Sequence, residues 1–199
     1  MVTLDPRIRR TRRALQGALL DLIVNRPLED ISIQDITDQA EMNRATFYLH
    51  YKSREELALQ ALDGLFENLL SEATRLNMPN DCGDPETVPS FLVFMFEYMN
   101  ERKPLFRALL AHDTPTLLGD RLRLFQERGF LTTWTNMGNK PLPDGPPPEL
   151  RASASSSAAL GMISWWLVNE EAVPPAIMAR WVWTLGSHYL FKDVLPQRE

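Results

Sequence analysis

Three helix starts follow one another within 27 residues of this 199-residue chain, and their spacing constrains the fold more than any other feature. Ser32, Asn43 and Ser53 are residue types that cap helices well, and Asp35 and Glu56 lie three positions after the two serines, where a reciprocal capping partner belongs. A tight turn separates the first two helices, which are both short. The spacing therefore predicts a helix-turn-helix that runs directly into a third helix.

The second helix of this motif, predicted over residues 44–51, has one apolar face and one mixed face. At about 100° per residue, Phe47 and Tyr51 share one side, whereas Ala45 and Leu49 point the opposite way. The polar residues that flank this opposite side are Arg44, Thr46, Tyr48 and His50. In a major groove, flanking side chains of this kind can reach phosphates, while small apolar groups can touch a thymine methyl.

The amino-terminal end of the chain is basic, although the whole chain carries a net charge of −5. Residues 1–54 hold nine Lys or Arg and seven Asp or Glu, a net charge of +2, so the remainder carries −7. Lys52 and Arg54 follow the second helix, and five arginines crowd an earlier helical pattern: Arg7, Arg9, Arg10, Arg12 and Arg13. We expect these cations to contact the DNA backbone, or a minor groove if the first residues form an arm; the alternative is a solvated charged face.

At these residues the chain resembles the amino-terminal domain of the TetR family of transcriptional regulators. The resemblance covers residues 9–65 and rests on Thr46, Phe47, Tyr48, His50 and Lys52. It implies that Tyr48, His50 and Lys52 hold phosphates, that the first residues of the second helix approach bases, and that Gln34 reaches in from the preceding helix. The residues expected to bind DNA are Arg10, Gln34, Asn43, Arg44, Ala45, Thr46, Tyr48, Leu49, His50 and Lys52.

The turn between the two short helices departs from the family pattern. The family usually has Gly there, where this chain has Glu41. A non-Gly residue adopts a left-handed conformation only at an energetic cost, so the geometry of the turn is a point to check. The alternative interpretation of the whole motif is a pair of amphipathic helices in an unrelated helical bundle.

The remainder of the chain also has helical spacing, with neither the alternation typical of strands nor an internal repeat. A helix over residues 53–76 is predicted to link a DNA-binding domain, residues 1–54, to a second domain, residues 55–199. Proline-rich and glycine-rich loops are expected at residues 77–90 and 138–148, and the chain is expected to break near Lys103-Pro104. The fold class is therefore all-α, with an amino-terminal three-helix helix-turn-helix domain and a carboxy-terminal helical domain for ligand binding and dimerisation.

The last two predicted helices, residues 149–169 and 175–191, are too apolar for isolated surface helices. In TetR-like proteins the final two helices pair with their copies in a second subunit, and the resemblance implies the same homodimer here. The expected interface residues are Ala159, Ile163, Trp166, Trp181, Leu185 and Tyr189. Burial in the core of a single chain is the alternative for each of them, but a short recognition helix needs two half-sites for specific binding.

The middle of the chain is rich in aromatic and methionine side chains, which suit an apolar small-molecule effector. The expected ligand-binding residues are Phe66, Phe94, Met95, Tyr98, Phe106, Phe125 and Met162; core packing is the alternative for each. By the family resemblance, ligand binding would shift the helix that begins at Ser53 and release a palindromic operator. A loose likeness to regulators of dihydroxyacetone kinase genes leaves open an activator, or an adaptor controlled by a protein partner.

Other functional classes have little support in the sequence. No phosphate-binding loop and no His or Cys cluster with metal-ligand spacing is present, so we expect no cofactor, no metal and no enzymatic activity. No apolar run reaches the roughly 20 residues needed to span a membrane, and the first residues lack the apolar segment of a signal peptide. The single cysteine, Cys82, fits a reducing compartment. We therefore expect a cytoplasmic protein that does not associate with a membrane.

Overall fold

The computed structural model describes residues 5–76, 87–111, 115–136, 145–169 and 173–191. These residues form helices and no strand, which confirms the all-α fold class. The helices are α1 (Pro6–Ile23), α2 (Ile33–Gln39), α3 (Arg44–Tyr48), α4 (Arg54–Arg75), α5 (Ser90–Glu101), α6 (Lys103–Ala111), α7 (Pro115–Asn136), α8 (Pro148–Val168) and α9 (Pro175–Phe191). A short 3-10 helix, Leu28–Asp30, precedes α2 and was not predicted.

Side-chain caps fix the starts of α2 and α3, as predicted. The Ser32 hydroxyl accepts from the Asp35 amide at 3.1 Å, and the Asp35 carboxylate accepts from the Ser32 amide at 2.8 Å, so the reciprocal capping box is complete. Asn43 caps α3 by accepting from the Thr46 amide at 2.8 Å. The cap of α1 by Asp5, which accepts from the Arg7 amide, is an addition to the prediction.

The chain divides into two compact units. The first unit comprises residues 1–68 with 104–118, and the second comprises residues 69–103 with 119–199. The first unit therefore extends past the predicted boundary at residue 54. The reason is its core, which includes Leu57 and Leu62 of α4 and Ala108 and Leu109 of α6.

The core of the first unit forms behind α3. Phe47 and Tyr51 are buried, as are Leu15 and Leu19 of α1 and Ile36 of α2. The inward side of α3 is thus the one predicted from the 100° spacing. Helix α3 has only five residues and ends at Tyr48, whereas the spacing predicts a helix as far as residue 51. Tyr51 therefore reaches the core from the segment that follows the helix.

In the second unit, α9 packs against both α5 and α8. Trp166 is the largest fully buried side chain: its ring meets Phe96 edge to face at 5.3 Å, and its Nε1 donates to the Val173 carbonyl at 2.9 Å. A second cluster joins Phe130, Trp134, Ala152 and Trp183. Apolar packing between helices is therefore the main organising interaction of this unit.

The expected break between two central helices is confirmed. Helix α5 ends at Glu101, and α6 starts at Lys103 after a single non-helical residue. Most of the two predicted loops, together with Cys82, lies outside the described residues. Within the described parts of the chain, no helix is long and apolar enough to cross a membrane.

Candidate DNA-binding surface and ligand cavity

The turn from α2 to α3 has a left-handed residue where the sequence lacks glycine. Glu41 has a φ of 53°, and the amides on either side close the end of α2: Glu41 N donates to the Asp38 carbonyl at 3.1 Å, and Met42 N donates to the Thr37 carbonyl at 2.8 Å. These two bonds form the Schellman motif, in which the left-handed position normally favours Gly. The turn thus has the geometry of a helix-turn-helix, with backbone strain at Glu41.

The outward side of α3 is open to solvent. Leu49 is 81% exposed, Tyr48 is 53% exposed, and Arg44 and Ala45 are exposed as well. Thr46 and His50 lie at the sides with intermediate burial. The structure therefore brings together on one surface the residues of α3 that the sequence assigned to DNA, with two apolar side chains among polar ones.

Buried aromatic contacts hold this surface from behind. The Phe47 ring meets Tyr48 edge to face at 5.5 Å and Tyr51 at 5.8 Å. Gln16 of α1 donates from Nε2 to the Tyr51 hydroxyl at 3.2 Å, and the Arg12 guanidinium lies 5.8 Å from the Tyr51 ring centroid. Burial raises the pKa of Tyr51, and the hydrogen bond from Gln16 and the charge of Arg12 partly oppose this shift.

Two predicted DNA-binding residues also have partners within the motif. Gln34 is exposed, and its Nε2 donates to Asp38 at 2.6 Å. The Asn43 Oδ1 accepts from both the amide and the hydroxyl of Thr46, so this side chain holds the start of α3. Asp38 and Glu41 are exposed beside them, which places negative charge next to the candidate DNA-binding surface.

Arg54, which the sequence suggested as a phosphate contact, binds other residues of the first unit. Its Nη1 donates to two backbone carbonyls, Glu29 at 2.7 Å and Ile31 at 3.0 Å, and its Nε pairs with Glu55 at 2.8 Å. The guanidinium therefore ties the start of α4 to the segment before α2. Lys52, in contrast, is exposed and remains a candidate phosphate contact.

The five amino-terminal arginines lie on the first turns of α1. Arg7, Arg9, Arg10 and Arg13 are exposed, whereas Arg12 is turned toward Tyr51. Because α1 begins at Pro6, all five of these residues belong to a helix. Arg10 thus remains available for a backbone contact.

A cavity of about 450 Å³ lies within the second unit. Its wall is mainly apolar and is formed by α5, α7, α8 and α9, with Leu70 of α4. Three predicted ligand-binding residues line it: Met95, Phe125 and Met162. The wall also includes small residues, such as Gly129 and Gly186, which do not fill the space between the helices.

The other four predicted ligand-binding residues do not line this cavity. Phe66 and Phe106 lie in the first unit, where Phe66 packs on the core and Phe106 is buried. Phe94 packs near Tyr98, and Tyr98 is covered by the Arg102 guanidinium, 3.8 Å from its ring centroid. Sequence reasoning named aromatic residues by composition and missed Gln126, Phe130, Val182 and Trp183, which line the cavity. The small residues on facing helices were the signal that could have found it.

The predicted dimer residues do not share one environment. Ile163 and Trp166 are buried within the second unit, so they are core residues and the prediction that they form an interface is wrong. Ala159 and Leu185 line the cavity. Trp181 and Leu185 are exposed, while the side chain of Tyr189 lies outside the described residues.

An apolar surface is nevertheless exposed on the last two helices. Trp165 is 50% exposed, Val168 is exposed one turn later, and Trp181 and Leu185 are exposed on α9. We call this surface the α8–α9 face and define it by Ala158, Gly161, Trp165, Val168, Trp181 and Leu185. The residues exposed on α8 therefore differ from Ile163 and Trp166, which the sequence pattern assigned to the interface.

A short, side-chain-capped recognition helix, open on one side and joined to a separate helical unit with a cavity, defines a helix-turn-helix regulator. Among the described residues, no three His, Cys, Asp or Glu side chains form a group that could hold a metal ion. The sequence profile described as "Bacterial regulatory proteins, tetR family" matches residues 17–61. The profile described as "Transcriptional regulator C-terminal region" matches residues 86–185. The chain belongs to the TetR family of transcriptional regulators.

Similar proteins have been named in several bacteria. The uncharacterised HTH-type transcriptional regulator YxbF of Bacillus subtilis (strain 168) is 27% identical over 179 residues, 89% of this chain and 44% of that protein. The dhaKLM operon transcriptional activator DhaS of Lactococcus lactis subsp. lactis (strain IL1403) is 26% identical over 130 residues, 65% of this chain and 59% of that protein. The chain therefore spans about half the length of the curated relatives that it matches.

Solved structures share the fold. The crystal structure of a TetR transcriptional regulator from Streptococcus agalactiae 2603V superposes with a TM-score of 0.66, at 21% identity, over 90% of this chain and 95% of that one. At this level of identity the likeness concerns the fold alone. It agrees with the order of elements described above, a helix-turn-helix followed by further helices.

Proposed function

We propose that this protein is a ligand-responsive repressor that binds a palindromic operator as a homodimer and is released by a small molecule. The observation that carries the proposal is the outward side of α3, where Leu49, Tyr48 and Arg44 are exposed while Phe47 behind them is fully buried. A helix held rigidly in this way can enter a major groove without losing its own core.

Affinity and sequence choice are assigned to different residues of this surface. Tyr48, His50, Lys52 and Arg10 would contact phosphates, which fix position without reading sequence. Arg44 and Gln34 would contact base edges, and Ala45 and Leu49 would meet thymine methyl groups. Because Leu49 is 81% exposed, Leu49→Arg is expected to change operator preference with little change in the free energy of unfolding.

The homodimer is supported by the α8–α9 face. Two tryptophans and two aliphatic residues exposed on adjacent helices form an apolar patch of the kind that marks a protein interface. A second copy of the chain would cover this patch and present two recognition helices to two half-sites. Trp165→Glu with Trp181→Glu is expected to yield a monomer, as measured by analytical ultracentrifugation; an unchanged dimer would contradict this assignment.

Helix α4 provides a physical connection between effector and operator binding. Its first turns place Leu57 and Leu62 in the core behind the helix-turn-helix, and Leu70 on the same helix lines the cavity. A ligand that moves Leu70 would therefore act on a helix that also supports α3. Such a ligand shifts the equilibrium only to the extent that it binds one arrangement more tightly than the other.

The first experiment is a salt titration of binding to DNA from the promoter region of the protein's own gene. Wild type is expected to bind more weakly as salt rises, because each phosphate contact releases counterions. Arg44→Ala combined with Tyr48→Phe is expected to weaken binding, whereas Arg75→Ala, which removes an exposed charge outside the helix-turn-helix, is the matched control. Absence of salt-dependent binding, or a double variant that binds like wild type, would rule out the proposed function.

A second candidate function is transcriptional activation. It is favoured by the similarity to the activator DhaS, which covers 65% of this chain. Both candidates predict the same DNA contacts, so binding measurements do not separate them. Transcription from the bound promoter in a purified system does: a repressor lowers transcript yield, and an activator, acting alone or with a protein partner, raises it.

A further inference from the structure

Because the proposed function assigns an effector to the second unit, the chemistry of that effector can be inferred from the cavity wall. The wall is formed largely by carbon atoms of Phe91, Leu92, Met95, Phe130, Met162 and Trp183. Its polar residues are Gln126, Arg128, Thr132, Ser155 and Ser156. A molecule that fills this space must therefore be mainly apolar, and its polar groups must match these few positions.

Two of these polar residues, Thr132 and Ser156, have hydrogen-bond partners within their own helices. The Thr132 hydroxyl donates to the Arg128 carbonyl at 2.8 Å, and the Ser156 hydroxyl donates to the Ser153 carbonyl at 3.1 Å. Arg128 is exposed, so water can solvate its charge. These groups place no demand on a ligand.

Gln126 is different. Its side-chain oxygen, Oε1, is buried and accepts no hydrogen bond from any described group. A buried acceptor without a donor is energetically unfavourable, and native structures rarely retain one without a reason. The side chain belongs to the wall of the cavity, and its rotatable bonds allow the amide to turn toward a bound molecule.

We propose that the cavity binds a mainly apolar molecule with one hydrogen-bond donor, such as a hydroxyl group, and that this donor pairs with Gln126 Oε1. An acceptor-only group, such as an ether, would leave the glutamine oxygen unpaired. A carboxylate placed against Gln126 Oε1 would bring two acceptors together, which is unfavourable for the same reason. Two ligands of equal size are therefore expected to bind with different affinities when only one of them has a hydrogen-bond donor.

The test compares two isomers of identical composition, 1-nonanol and methyl octyl ether, by isothermal titration calorimetry on the 199-residue chain. The alcohol is expected to bind wild type about ten-fold more tightly than the ether, as one satisfied hydrogen bond predicts. Gln126→Met keeps the length of the side chain and removes the acceptor. In this variant the preference for the alcohol is expected to fall below about two-fold.

A matched control comes from the same helix. Thr135 is exposed, its hydroxyl donates to the Leu131 carbonyl at 2.9 Å, and it does not line the cavity. Thr135→Val is therefore expected to keep the wild-type preference. Since Gln126→Met removes an unpaired buried acceptor, its melting temperature is expected to be no lower than that of wild type, so folding failure can be recognised.

Three results would overturn the proposal: binding of neither isomer, equal binding of both by wild type, or tighter binding of nonanoate than of 1-nonanol. Retention of the full preference in Gln126→Met would overturn it as well. DNA binding by wild type is measured separately without these compounds. If the alcohol preference holds but no DNA is bound, the ligand assignment stands and the proposed function fails. If DNA is bound but the alcohol preference is absent, the ligand assignment fails and the proposed DNA binding stands.

Discussion

The helices of the two units begin in different ways. In the first unit, α1, α2 and α3 start at Asp5, Ser32 and Asn43, whose side chains accept hydrogen bonds from backbone amides. In the second unit, α5 and α8 start after Pro89 and Pro147, and neither start has a side-chain cap. The first unit therefore fixes its short helices by local hydrogen bonds, whereas the second relies mainly on packing between long helices.

The two kinds of helix start suit the different features of the two units, an exposed short helix in the first and a cavity in the second. A helix of five residues has too few backbone bonds to be stable alone, so α3 needs its cap and the buried Phe47 to present side chains in a fixed direction. The long helices of the second unit tolerate uncapped starts and small residues at their contacts. Because those residues are small, they do not fill the space between the helices, and the cavity remains.

The largest expected effect separates two adjacent tryptophans of the second unit. Trp166→Ala is expected to lower the free energy of unfolding by about 3–5 kcal/mol, because it removes the Phe96 contact and the Val173 hydrogen bond from a packed core. Trp165 is half exposed in a single chain, and Trp165→Ala is expected to cost the monomer, measured at concentrations where the dimer is dissociated, less than about 1 kcal/mol. Urea unfolding of both variants measures the difference; equal losses would contradict the dependence on packing.

The next effect tests the assignment of two neighbouring cations in the first unit. Arg54→Ala is expected to cost about 1–2 kcal/mol, since the carbonyls of Glu29 and Ile31 lose a charged donor at a partly exposed site. Lys52→Ala is expected to leave stability unchanged and to reduce the salt slope of DNA binding by about one. Chemical denaturation and anisotropy titrations at several salt concentrations check the two expectations. The opposite pattern would restore Arg54 as the phosphate contact.

Capping itself is tested by one substitution in each unit. Asn43→Ala is expected to lower the free energy of unfolding by about 1 kcal/mol, because the Thr46 amide loses its acceptor. Pro147→Ala, at the exposed start of α8, is expected to change it by less than about 0.5 kcal/mol. If both variants lost the same stability in urea titrations, the contrast between the units would disappear.

Glu41 allows a stabilising test of the same turn. Glu41→Gly is expected to raise the free energy of unfolding by about 0.5–1 kcal/mol, because glycine adopts a φ of 53° without strain. Glu41→Ala keeps the unfavourable conformation and is expected to bring no such gain. Thermal melts of the two variants, recorded in parallel, provide the comparison.

The smallest effect depends on pH. Hydrogen bonds from the Ser32 hydroxyl and amide, with a contribution from Arg26, lower the pKa of Asp35 from its ordinary value of 3.8. The stabilisation is therefore fully present above 3.8 and is lost as pH falls through the lowered pKa of the folded state. Unfolding curves between about pH 2 and 5 are expected to depend less on pH in Asp35→Asn than in wild type. Identical pH dependence would mean that the carboxylate does not stabilise the start of α2.

The sequence predicts the starts of α2 and α3 because cap and partner lie within three residues of each other. The side of α3 that faces the core was also predictable, since Phe47 and its apolar neighbours follow helical spacing. The internal partners of Arg54 were missed because its acceptors, Glu29 and Ile31, lie 25 and 23 residues away. A surface cation and a cation that binds distant carbonyls look the same in a sequence.

Prediction was weaker in the second unit for a related reason. Helix α8 is apolar on more than one side, so its pattern does not show whether Trp165 or Trp166 faces outward. The cavity depends on the distances among five helices, and residues such as Gln126 and Val182 meet only after those helices pack. Composition alone therefore named Phe66 and Phe106, which belong to the other unit.

The segment that returns to the first unit, residues 104–118, has a consequence for how the protein is made. Ala108 and Leu109 complete the core that also contains Leu57 and Leu62. A fragment that stops at the end of α4 would carry every candidate DNA contact but expose part of this core to water. During synthesis, the DNA-binding unit can reach its full stability only after α6 has left the ribosome, so a prematurely terminated chain would yield a less stable DNA-binding fragment.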